Sequence, residues 1–114
     1  MPGPGEMIST LSEGAIMILV RDIFQLKFGK AREALELMKE GKAILKKADY
    51  NVDRMLTDLT GPYYTLVMES TYDSLTAYDK SMASESMSEE WKKIYQKFVL
   101  LVESGRREIF TVVK

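Results

Sequence analysis

The chain contains no histidine and no cysteine. Histidine titrates nearest neutral pH and is the commonest metal ligand, so its absence excludes a catalytic triad, a histidine-ligated haem and ordinary zinc sites. Without cysteine there is no disulfide framework, no thiolate nucleophile and no thiolate metal site, a composition that fits a reducing cytoplasm. Charge of one sign is missing too. Sixteen basic against seventeen acidic side chains leave a net charge of −1, so nothing drives the chain toward nucleic acid or an anionic membrane. The longest apolar run, Ala15 to Val20, is far too short to cross a bilayer. Pro2 rules out an N-myristoyl glycine at that position. The start, Met1 to Glu13, is rich in Gly, Pro and Ser and lacks both the basic beginning and the apolar stretch of a secretory signal. These absences predict a cytoplasmic protein with no cofactor and no metal, in which any catalysis uses carboxylates, Tyr, Lys or Arg.

The 114 residues read as a loose arm over residues 1–14 and one domain over 15–114. That is enough chain for a real core, but little for a ligand pocket enclosed by a single copy. The strongest pattern runs from Val52 to Ser70. Two alternating stretches flank Gly61-Pro62; with the turn there, Asp58 faces Thr65, Leu56 faces Val67 and Arg54 faces Glu69. The opposed charges support this register. Leu59, Thr57 and Met55 then meet Tyr64, Leu66 and Met68 on the other face, and a one-residue slip would exchange the two sets.

Before the hairpin, the even positions from Ile16 to Phe28 are apolar except for Asp22, which marks a strand. Gly29 turns into a segment where Ala31, Ala34, Leu35, Met38, Gly41, Leu45 and Ala48 recur at helical spacing. Lys39, Lys42, Lys46 and Lys47 on its far side alternate with Glu36 and Glu40, as on a solvated face. Asp49 to Asn51 marks the exit to the hairpin. After the hairpin, Asp73 or Ser74 can cap a short helix, which Ser84 to Ser88 breaks. Ser86 with Glu89 fits a capping box, Ser88 offers a competing cap, and Trp91, Ile94, Tyr95, Phe98, Leu101 and Val102 form the next stripe. Gly105 is expected to end that helix, with a last strand from Arg107 to Val113. The order predicts an α+β, ferredoxin-like βαββαβ domain: a four-stranded antiparallel sheet with helices on one face.

The uncovered face then carries Arg21, Ile23, Arg54, Leu56, Tyr63, Thr65, Val67 and Glu69, expected to line a ligand cavity. Its aliphatic groups would be a liability in water, so pairing of two sheets in a homodimer is expected. Arg21 has no evident sequence-level partner and could anchor a carboxylate or enolate oxygen. Asp22 sits either at a bulge that turns it outward or beside the core, where a hydrogen bond satisfies it or desolvation prepares it for proton transfer. Asp58, near Thr65 and Tyr63, is the other candidate proton carrier. An RNA-binding sheet of this topology would place aromatics where Leu19, Arg21, Thr65 and Val67 stand.

The succession FQLKFGKAREALELMKE, LTDLTGPYYTLVMESTYDSLTAYD and EEWKKIYQKFVLLVESGRREIFTVV resembles the dimeric α/β-barrel superfamily, and within it the NIPSNAP-like proteins, over about Ile16 to Val113. The resemblance rests on a strand ending in glycine and a basic residue, a tyrosine before the second helix, and a tryptophan opening the last helix. It implies a ferredoxin-like protomer whose sheet faces a second copy across a barrel. It implies no one activity, since the superfamily includes cofactor-independent monooxygenases, haem-degrading enzymes, dehydratases and proteins with no assigned reaction. Three readings follow: a homodimeric small-molecule-binding protein, a cofactor-independent enzyme acting on an activated carbonyl or phenolic compound in the intersubunit cavity, or a purely structural association module. In the enzyme, Arg21 would stabilise oxyanion charge while Asp22 or Asp58 moves a proton.

Overall fold

A computed structural model describes residues 16–47, 50, 52–85 and 88–114. Its elements are β1 (Ile18–Leu26), α1 (Ala31–Lys47), β2 (Arg54–Thr57), β3 (Thr65–Tyr72), α2 (Leu75–Glu85), α3 (Glu89–Val99) and β4 (Val102–Thr111). The strands form one antiparallel sheet in the order β2-β3-β1-β4. This is the ferredoxin-like α+β arrangement, with the second helix of the pattern present as the pair α2 and α3.

Period-two alternation decides which side of the sheet is dry. The even residues Ile18, Val20, Asp22 and Leu26 of β1 are buried, as is Leu66 of β3. Leu26 and Leu66 lie under Ala34, Met38 and Leu45 of α1 and Trp91, Ile94 and Phe98 of α3 in the main core, while Ile18 and Val20 pack with Tyr78 of α2 in a second cluster. The two helices meet at Gly41, where a Cβ would lie 2.9 Å from the Trp91 ring. Glycine lets the indole reach the backbone of α1. Ser88 caps α3, its hydroxyl accepting the Trp91 N–H at 3.2 Å, and Ser74 caps α2 by accepting that of Ala77 at 3.1 Å. The rival cap Ser86 and the exit residues Asp49 and Asn51 lie outside the described residues.

The hairpin register is the expected one, Arg54 opposite Glu69 and Leu56 opposite Val67. The turn is not. Pairing stops at Thr57 opposite Leu66, and a wider loop replaces the two-residue turn at Gly61-Pro62. The Asp58 carboxylate takes the N–H of Thr65 at 2.9 Å, while the Tyr64 carbonyl accepts the N–H of Leu26 at 2.8 Å, so β1 captures the loop's end. Tyr64 adopts a left-handed φ of 61° there, and Leu59 is 99% exposed instead of facing the core.

β1 is shorter than its pattern, with Phe28 exposed beyond its end. The last strand is longer. It starts at Val102, and Gly105 lies inside it instead of ending α3, which stops at Val99. The glycine serves close packing: a Cβ at 105 would lie 3.0 Å from the Phe24 ring on the neighbouring strand.

Candidate functional site

The face without helices is organised in rows across the strands, because antiparallel partners project to the same side. One row reads Glu108, Arg21, Glu69, Arg54 from β4 to β2. Glu69 is its centre. With a side chain only 3% exposed, it accepts the Nε–H of Arg54 at 2.6 Å and that of Arg21 at 2.8 Å. The hydrogen bond from Arg54 is the largest influence on its carboxyl; burial opposes it, Arg21 adds to it, and the pKa is held below the ordinary carboxylate value. Arg21 is therefore not the unpartnered cation its sequence context implied. It also approaches Glu108 at 4.0 Å and lies over the Phe110 ring, 5.2 Å from the centroid.

A neighbouring row reads Arg106, Ile23, Val67, Leu56. The two rows, with Thr65 and Gln25, line an open concavity of about 680 Å³. Seven of the expected cavity residues thus come together: Arg21, Ile23, Arg54, Leu56, Thr65, Val67 and Glu69. Tyr63 does not join them. Its side chain is exposed at the loop, beside Asp58 on a separate hollow of about 570 Å³, while its carbonyl accepts a hydrogen bond from the Gln25 side chain. Ser104 and Arg106 were hidden in the sequence because an expected start of β4 at Arg107 removed them from this face; Glu108 lay inside the expected strand, and only its pairing with Arg21 across β1 and β4 brings it to the site.

Asp22 lies on the opposite side of the sheet. The only register shift of β1 among the described residues falls at Gln25/Leu26, so no bulge turns Asp22 outward. It is buried and accepts the Nε–H of Arg107, its cross-strand partner, at 2.5 Å; Arg107 Nη1 donates to the Tyr78 hydroxyl at 2.5 Å. Burial works against the Arg107 charge, but the hydrogen bond and attraction from Asp22 outweigh it, and the guanidinium pKa lies above its usual value. Asp22 and Arg107 open on a second concavity of about 830 Å³ between sheet and helices, lined also by Tyr50, Met68, Met82 and Trp91. Arg21 and Asp22, adjacent in sequence, thus belong to different sites. Asp58 belongs to neither.

Among the described residues no group of three or more metal-ligating side chains is assembled, and no helix is long and apolar enough to cross a membrane.

No family model matches the sequence, and no curated protein matches it. Solved structures do match the fold. A NIPSNAP family protein from Agrobacterium tumefaciens superposes with a TM-score of 0.79 at 23% identity, covering 85% of this chain and 86% of that one. A second NIPSNAP family protein of unknown function from the same organism gives 0.79 at 20% identity, covering 86% and 89%. A candidate antibiotic biosynthesis monooxygenase from Nitrosomonas europaea gives 0.68 at 13% identity, covering 85% and 90%. The chain therefore has the ferredoxin-like α+β fold of the NIPSNAP family structures on which it superposes.

Proposed function

We propose that the protein is a homodimer formed through its helix-free sheet face, and that it binds a small, partly apolar, oxygen-bearing molecule between the two sheets. The observation that carries this reading is the mixed chemistry of that face. Ile23, Val67 and Leu56 form an aliphatic strip beside a row of alternating charges, and Leu19 and Phe110 add apolar surface. A second copy would remove the apolar groups from water. A row that reads minus, plus, minus, plus can meet its own copy about a twofold axis with unlike charges opposed. Concavities on both copies would then join into a chamber.

Sedimentation velocity at micromolar concentration tests the assembly, and native mass spectrometry of freshly purified protein tests the occupant. A dimer carrying excess mass supports the proposal; a monomer removes its basis.

A second reading, a cofactor-independent enzyme acting on a phenolic or activated carbonyl compound, is favoured by Asp22. Its buried carboxylate, paired with an Arg107 that Tyr78 also holds, opens with Arg107 on the aromatic-lined concavity under the helices. A likeness of fold to the Nitrosomonas protein is in keeping with it. In this reading the chemistry moves from the sheet-to-sheet chamber to that concavity. Turnover of a phenolic panel should be lost in Asp22→Asn and kept in Arg21→Ala; the reverse result would return the chemistry to the open face.

A further inference from the structure

The charges around the open concavity do not cancel. Its lining holds three guanidinium groups, from Arg21, Arg54 and Arg106, and two carboxylates, from Glu69 and Glu108. The row Glu108, Arg21, Glu69, Arg54 is neutral by itself. The surplus cation is therefore Arg106, which stands at the end of the aliphatic row. Its Nε–H reaches Glu108 at 3.2 Å, but that carboxylate is shared with Arg21, and the Arg106 side chain remains 66% exposed. An ion pair of this kind in water contributes little. Enclosed between two sheets, an uncompensated cation would cost several kcal/mol unless an anion met it.

We infer that the chamber takes a monoanionic amphiphile, a carboxylate with a medium-length acyl or arylalkyl body, one for each protomer. This deepens the proposed function and rests on the sheets being apposed. The carboxylate would sit on Arg106, whose terminal N–H groups make no hydrogen bond among the described residues. The body would lie across the strands on Ile23, Val67 and Leu56. Three strand spacings separate Arg106 from Leu56, roughly 14 Å, which suits an extended body instead of a compact ring. The charged row on one side and the Thr65, Gln25 and Ser104 row on the other confine it to that strip.

Isothermal titration of the full chain with octanoate and with octanamide, which keeps the shape and removes the charge, tests this. Octanoate should bind at least ~10-fold more tightly, the scale of one charge-assisted hydrogen bond, and the difference should shrink with added salt. In Arg106→Gln octanoate should fall to the octanamide level, and Arg106→Lys should recover part of the loss. Sedimentation velocity on the same samples separates the two claims. Equal binding of the two probes, binding of neither at millimolar concentration, or octanoate binding undiminished in Arg106→Gln, each by a dimer, overturns the anionic ligand alone. A monomer overturns both.

Discussion

Replacing Glu69 by Gln should cost more than any other single change on the open face. Glu69 is a nearly fully buried carboxylate with two charge-assisted hydrogen bonds, at 2.6 and 2.8 Å. Gln keeps the volume but offers one oxygen as acceptor and turns an NH2 group toward the other guanidinium. Hydrogen bonds to charged groups contribute about 1.5–3 kcal/mol each, and removing one member of a buried pair costs about 3–5 kcal/mol. The partners lower that figure. Arg21 and Arg54 are 35% and 64% exposed and can turn to water, so we expect a loss of about 2 kcal/mol. For a domain of this size that is about 10 °C in Tm.

Urea unfolding followed by the single, buried Trp91 measures it as a lower midpoint with an unchanged slope, at one protein concentration because a dimer couples stability to concentration. The pH dependence carries the sign. The Glu69 pKa is lower in the folded chain than its ordinary 4.5, so the unfolded chain takes up the proton first. The stabilisation is complete above the ordinary value and is lost as pH falls through the folded one. The gap between wild type and Glu69→Gln should be constant from pH 7 to about pH 5 and close in more acid solution. A gap below about 0.5 kcal/mol at pH 7, or one that persists unchanged into strong acid, would refute the reasoning.

Gly105→Ala should destabilise by about 1–3 kcal/mol, because the new Cβ meets the Phe24 ring at 3.0 Å. Gly105→Asn should be no better; a rescue by Asn in thermal melts would mean that the position needs a left-handed cap after all. Gly41→Ala improves intrinsic helix propensity by about 1 kcal/mol but should still lower Tm, since Trp91 lies 2.9 Å from the added carbon. A raised Tm with an unshifted Trp91 emission maximum would contradict the close approach.

The parts that were legible in the sequence are those governed by local periodicity. Alternation from Val52 to Ser70, with Arg54 and Glu69 of opposite charge, set the β2–β3 register, and the stripe through Ala34, Met38, Gly41 and Leu45 is the buried side of α1. What stayed hidden depends on groups far apart in the chain. Gly105 has the same spelling as a helix terminator and as a site of close approach, and the ring that decides between them, Phe24, is supplied by β1. Misplacing Gly105 also concealed Ser104 and Arg106. The interruption at Asp22 was visible, but its partner Arg107 emerges only when β4 is laid beside β1. The two-residue turn failed for a local reason with a tertiary trigger: Asp58 takes the Thr65 N–H and β1 takes the Tyr64 carbonyl.

Adjacency in sequence and separation across the sheet make Arg21 and Asp22 a test of the whole arrangement. Successive strand residues point to opposite faces. Arg21 uses Glu69, Glu108 and Phe110 on one side; Asp22 uses Arg107 and Tyr78 on the other. With no shared partner, the stability losses of Arg21→Gln and Asp22→Asn should add within about 0.5 kcal/mol. Arg21→Gln and Arg54→Gln both act on Glu69, so that pair should show a coupling of about 0.5–3 kcal/mol although the residues lie far apart in the chain. Urea midpoints of the three single and two double variants against wild type give both cycles. A mechanism in which Arg21 holds an oxyanion while Asp22 moves its proton needs the two groups on one molecule. Coupling between Arg21 and Asp22 as large as that between Arg21 and Arg54 would restore such a mechanism; additivity confines each group to its own side of the sheet.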